Sequence, residues 1–139
     1  MIRDLVKDEA LLSTPCEPAT ADDAAVAQDL LDTLAAQEDA GCLAANQIGV
    51  TKAIVAYVDD HERAHVMFNP KVMFGLGATK VTESCLTHEA ETRVTRYAKV
   101  KVSFDELVDG VLKPRKRDLL GWQAQMVQHM IDHCKGKLI

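Results

Sequence analysis

GWQAQMVQHMIDHCKG, residues 121–136, is a run of good helix formers bounded by glycines, with Trp122, Met126, His129, Met130 and His133 at helical spacing. Gly121 opens it, and Gly136 stands where a helix commonly takes a left-handed residue after its last turn. His129 and His133 are four positions apart, so both imidazoles leave one face of the helix a turn from each other. Two nitrogens so arranged can ligate one ion. The spacing by itself does not separate a metal site from hydrogen-bonded core histidines. Met126 and Met130 read as part of the apolar face of the same helix.

Upstream, YAKVKVSFDEL (97–107) alternates Val100, Val102 and Phe104 with polar residues, and Asp109-Gly110 is a two-residue turn signal before VLKPRKRDLL (111–120). An antiparallel hairpin is expected there. KAIVAYV (52–58) and HVMFNPKVMF (65–74) carry the β-branched and aromatic residues of strands in short sheets, with Asn69-Pro70 expected to interrupt the second. After Thr20, ADDAAVAQDLLDTLAAQEDA (21–40) begins with capping residues and acids and sets Val26, Leu30 and Leu34 four apart, the pattern of a first helix. Strands in the middle with a helix near each end indicate an α+β fold. Without repeats or low-complexity linkers, residues 1–139 are expected to form a single domain.

Bulk composition limits the function. A formal net charge of −5 and a pI near 5.5 argue against direct nucleic-acid binding, which needs clustered cations that outweigh the acids. The basic run Lys113 to Arg117 reads as a solvated strand or loop. The N-terminal MIRDLVKDEALLSTP lacks a continuous apolar region and a small-residue cleavage site, and no stretch is apolar enough to span a membrane, so a cytoplasmic protein is expected. The four cysteines (Cys16, Cys42, Cys85 and Cys134) come without a secretory signal or a dense disulfide spacing and read as thiols, which can bind metal. His61 and His65, near Asp59, Asp60 and Glu62, imitate a second metal pair but read as a polar turn between strands.

Three co-linear segments carry a more specific signal. AGCLAANQIG (40–49) resembles the G-x-G-L-A-A-x-Q segment of the peptide deformylase family, ESCLT (83–87) resembles its E-G-C-L-S, and QHMIDHCKG (128–136) resembles its Q-H-E-x-D-H-x-x-G. The resemblance spans nearly the whole chain, which ends six residues after His133 as short versions of the family do. It implies a deformylase-like α+β fold, with antiparallel sheets packed around a C-terminal metal-binding helix and an N-terminal helix. It further implies that Cys85, His129 and His133 bind one divalent ion, Fe(II) by preference with Zn(II), Ni(II) or Co(II) accepted, and leave a position for water. Gln47 and the backbone N–H of Leu86 would hold the oxygen that turns negative as a formyl carbon becomes tetrahedral, each such donor contributing about 2.7–4 kcal/mol. Cys42 and Leu43 would contact the substrate, an N-formylmethionyl peptide or nascent chain matured during translation.

The chain departs from the family pattern at consequential positions. Met130 stands where the family has the glutamate that moves protons between water and the leaving amine, a role commonly worth about 10²–10⁴-fold in rate. Cys42 and Ser84 replace glycines and are expected to narrow the substrate groove. His88, Glu89 and Asp132 are the nearby titratable residues that could substitute for the missing base, although Asp132 is a supporting residue in the family pattern. Two readings stay open from sequence: a metal-dependent amidase of impaired activity, and a silent relative that binds metal and formylated peptide without turnover.

Overall fold

The structure, a computed structural model, describes residues 1–37, 40–85, 87–137 and 139; the side chains of His88 and Glu89 lie outside that description. A short helix α1 (Glu9–Leu12) is followed by a 3-10 turn (Ala21–Asp23) that runs into α2 (Ala24–Ala35). Strand β1 (Cys42–Ala44) leads through a second 3-10 turn (Ala45–Ile48) to β2 (Ile54–Val58), β3 (Ala64–Cys85), β4 (His88–Val108) and β5 (Val111–Leu120), and α3 (Gly121–Cys134) follows. The strands form one antiparallel sheet in the order β1-β2-β3-β4-β5.

Over the inner parts of the strands, period-two alternation sends side chains to one of two cores. On one face Ala44, Val55, Tyr57, Met67, Val100 and Val102 meet Ala124, Val127, Met130 and Ile131 of α3. On the other, Leu43, Ile54, Ala56 and Phe68 meet Ala27, Leu30 and Leu34 of α2. Strand β2 lies between two helices and buries Ile54, Val55, Ala56 and Tyr57 on both faces. Full burial of side chains the size of Ile54 and Val55 contributes about 1.5–3 kcal/mol each.

The ends of these elements follow from local chemistry. Thr20 and Asp23 form the capping pair ahead of α2: the Thr20 side chain accepts from the Asp22 N–H, and the Thr20 N–H donates to Asp23 Oδ2 at 2.9 Å. Asp109 and Gly110 both adopt positive φ (50° and 79°), the requirement of the two-residue turn that joins β4 to β5. Gly136, at φ 79°, follows α3 as expected.

Asn69-Pro70 does not interrupt its strand, in contrast to the sequence expectation. β3 continues through a register shift between Phe68 and Lys71, where the missing Pro70 N–H falls in a bulge. Asn69, at φ 54°, is held there because its Oδ1 accepts from the Ala19 N–H at 2.8 Å and its Nδ2 donates to the Ala19 carbonyl at 3.0 Å. The expected short sheets are therefore one sheet with a long central hairpin, β3–β4.

Candidate metal centre

The tip of that hairpin is brought over α3. Cys85 ends β3, and its Sγ lies 3.2 Å from His133 Nε2; His129 Nε2 lies 3.1 Å from the same atom. The three donor atoms lie within 4.8 Å of one another, and this is the one such group of three ligating residues among the described residues. Bonds of about 2.0–2.3 Å to a tetrahedral ion separate nitrogen and sulfur donors by roughly 3.3–3.6 Å, so a small adjustment separates the observed triad from an ion-bound one. The donor set, one thiolate and two imidazoles with no fourth protein ligand within reach among the described residues, fits a divalent cation with an open position.

His129 is held from behind, whereas His133 Nδ1 is buried without a partner among the described residues. Glu83 Oε1 lies 2.8 Å from His129 Nδ1, which directs Nε2 at the centre, the carboxylate–histidine arrangement that fixes a metal-binding imidazole. Glu83 is buried and is itself gripped by Arg96, whose Nε reaches both carboxylate oxygens at 3.1 Å and whose Nη2 reaches Oε1 at 2.8 Å. Arg96 Nη1 donates to Asp132 Oδ2 at 2.7 Å, and Gln125 Nε2 donates to Glu83 Oε2 at 2.9 Å. Asn46 Nδ2 donates to the His133 carbonyl at 2.9 Å, tying the 3-10 turn that carries Gln47 to the helix that carries the ligand.

The charges pair within the triad. Burial pushes the Glu83 carboxyl up, but His129, Arg96 and Gln125 outweigh it and hold the group at about 2. Burial likewise opposes ionisation of Cys85, yet hydrogen bonds with His129 and His133 draw its thiol down to about 5, so the ligating thiolate is the form present at neutral pH. Burial lowers His129, while Cys85 and Glu83 raise it to about 9.

A cleft of about 400 Å³ opens over the triad, lined among others by Cys42, Gln47, Ser84, Trp122, Met126 and Met130. Gln47 accepts the Ala44 N–H on Oε1 at 2.9 Å and donates from Nε2 to Cys85 Sγ at 3.2 Å and to Thr87 Oγ1 at 3.1 Å. Cys42 forms part of the wall, and burial beside Cys85 and Glu83 pushes its thiol up to about 12. The Leu43 side chain points the other way into the α2 core, so the structure brings Cys42 to the cleft and not the side chain of Leu43. Met130 lines the cleft and is 3% exposed, packed with the α3 core. Glu83 is the one carboxylate among the described lining residues, and its oxygens are committed to Arg96, Gln125 and His129. Leu86 lies outside the described residues, as do the side chains of His88 and Glu89.

Sequence reasoning did not find Arg96, Gln125 or Thr87. Arg96 sits in an alternating strand and meets Glu83 across 13 positions, so only the hairpin reveals the pair. His61 and His65 do not share an ion site: the His61 N–H caps Asp59 in the turn, while His65 lies on β3, stacks on Tyr57 and turns Nε2 to Asp59 at 2.7 Å.

A thiolate from a strand end and two imidazoles from one helix, backed by a buried carboxylate, define this as a mononuclear metal-site protein of α+β class. The polypeptide deformylase family model matches residues 2–139, and the chain belongs to that family. It is 34% identical over 140 residues to a peptide deformylase of Clostridium beijerinckii, with all of both chains covered. It is 37% identical over 113 residues to peptide deformylase 2 of Vibrio cholerae, covering 79% of this chain and 66% of that one. A crystal structure of a peptide deformylase from Legionella pneumophila superposes with a TM-score of 0.84 at 30% identity, over 99% of this chain and 83% of the other. The peptide deformylase from Thermus thermophilus gives 0.84 at 26% identity, again over 99% and 83%.

Proposed function

We propose that residues 1–139 act as one domain that hydrolyses the formyl group from N-formylmethionyl peptides at the Cys85–His129–His133 centre, slowly because Met130 replaces the proton-transferring glutamate. The observation that carries this reading is the cleft over the triad, whose described walls hold Gln47 beside the thiolate but no uncommitted carboxylate. A divalent ion bound by the triad, Fe(II) by preference and Zn(II) or Ni(II) as substitutes, supplies Lewis acidity and an activated water.

The chain's own residues do the rest. Gln47 donates from its amide to the formyl oxygen as that atom gains charge, with the Leu86 N–H as second donor. Edge strand β1, with Cys42 and Leu43, takes an extended peptide by main-chain hydrogen bonds along the side that β2 does not occupy. The Met130 thioether neither accepts nor donates the proton, so transfer falls to solvent at a cost of about 10²–10⁴ in rate. The substrate is the peptide or nascent chain made in the cytoplasm; among the described residues no helix is long and apolar enough to cross a membrane.

A second reading, a silent relative that binds formylated peptide, is favoured by one observation: Met130 is built into the α3 core. Deformylation of a formyl-Met peptide by anaerobically purified, Fe(II)-loaded protein, beside Met130→Glu, separates the two. Weak wild-type turnover raised about 10²-fold or more by the glutamate supports the slow enzyme. Wild-type silence with the same gain supports an intact pocket that lost only its base. Equal activity in both overturns the assigned role of position 130, and silence in both with retained peptide binding supports the silent relative.

A further inference from the structure

Two thiols away from the cleft meet where the chain's ends converge. The segment after α1 runs across the C-terminal turn of α3, where the Cys16 N–H donates to the Cys134 carbonyl at 2.8 Å. Contact there is close: a Cβ on Gly136 would come within 2.6 Å of the Ser13 carbonyl oxygen and 2.8 Å of the Pro15 nitrogen. A main-chain bond of that length holds the two Cα atoms roughly 5–6.5 Å apart, inside the window of about 4.4–6.8 Å that a disulfide requires. Both residues are half-buried free cysteines.

We infer that Cys16 and Cys134 form an oxidisable pair, a disulfide site that clamps the N-terminal segment onto the end of α3 beside His133. With a low-molecular-weight disulfide such as oxidised glutathione as oxidant, the Cys16 thiolate attacks one glutathione sulfur and expels the other as thiol. Cys134 then attacks Cys16 Sγ, the mixed disulfide breaks, and the second glutathione leaves. Two protein thiols are oxidised, one glutathione disulfide is reduced to two thiols, and the protons lost by the cysteines go to the leaving thiolates.

The test treats the metal-loaded full chain with oxidised glutathione, blocks free thiols with N-ethylmaleimide and digests with trypsin without reduction. The expected product joins the peptide running from Asp8 to Lys52 to the peptide from Asp118 to Lys135. Since Cys42 shares the first peptide, the link must survive in Cys42→Ser and vanish in Cys16→Ser. Cys134→Ser is expected to trap glutathione on Cys16. The linked form should melt roughly 5–15 °C above the reduced one, a difference abolished by dithiothreitol. Alkylation of both cysteines after oxidation, a link through Cys42 or Cys85 instead, or a linked form that melts below the reduced one overturns the inference.

Discussion

Replacing Arg96 with methionine removes the guanidinium that neutralises Glu83 and Asp132 together, with side-chain exposures of 7% for Arg96 and 5% for Glu83. The carboxylate left behind keeps only Gln125 and His129 as partners. Breaking a buried pair by removing one member costs about 3–5 kcal/mol, because an uncompensated charge stays out of water. With roughly 0.3 kcal/mol/K of unfolding entropy for a chain of this length, that corresponds to a fall in Tm of about 10–17 °C. Thermal unfolding followed by circular dichroism in a chelator measures it without a contribution from bound metal. Arg96→Lys should fall in between, since an ammonium keeps the charge but cannot fork to both carboxylate oxygens. A methionine variant within about 1 kcal/mol of wild type would refute the reasoning and mean that the network contributes little net stability.

Other consequences follow from single contacts. Glu83→Gln, which keeps the shape but weakens the hold on His129 Nδ1, should lower zinc affinity about 10–100-fold in a chelator competition. Asn46→Ala removes one of the donors to the buried His133 carbonyl, which keeps the Gly136 N–H at 3.0 Å, and should cost about 0.5–1.5 kcal/mol in urea unfolding. Leu30→Ala, at a fully buried position of α2, should cost about 2–5 kcal/mol in the same assay and leave metal binding unchanged. Asp59 is held at about 2 by His65 and by the backbone N–H groups of Arg63 and His61, against an ordinary value of 3.8. Its folded value lies below the unfolded one, so its stabilisation is complete above pH 3.8 and is lost as pH falls through 2; unfolding curves of Asp59→Asn should differ from wild type more at pH 7 than at pH 2.

The parts legible in the sequence were those with local signals. The Thr20–Asp23 cap, the Asp109-Gly110 turn and the glycine-bounded final helix each fix their own backbone, and the three motifs name the ligands. The outer halves of β3 and β4 were not legible, because residues from Lys71 to Lys80 are exposed or half-buried on both faces and carry no alternation. Helix α1, four residues capped by Asp8, is too short for a period to register. Asn69-Pro70 misled because its compensating bonds come from Ala19, 50 positions away. Arg96 was invisible for a related reason: nothing near it in the chain shows that a strand cation will be buried against two carboxylates.

The hairpin tip that supplies Cys85 lies 48 positions from His133 along the chain, so the ion's coordination shell joins distant segments of the molecule. Closing so wide a loop comes late in folding, after the hairpin has zipped and α3 has docked. Metal should accordingly leave the refolding rate almost untouched and act on the reverse reaction, slowing escape from the native state. In that sense the ion is a latch set after assembly, and the lifetime of the folded protein becomes a readout of how much metal its surroundings provide.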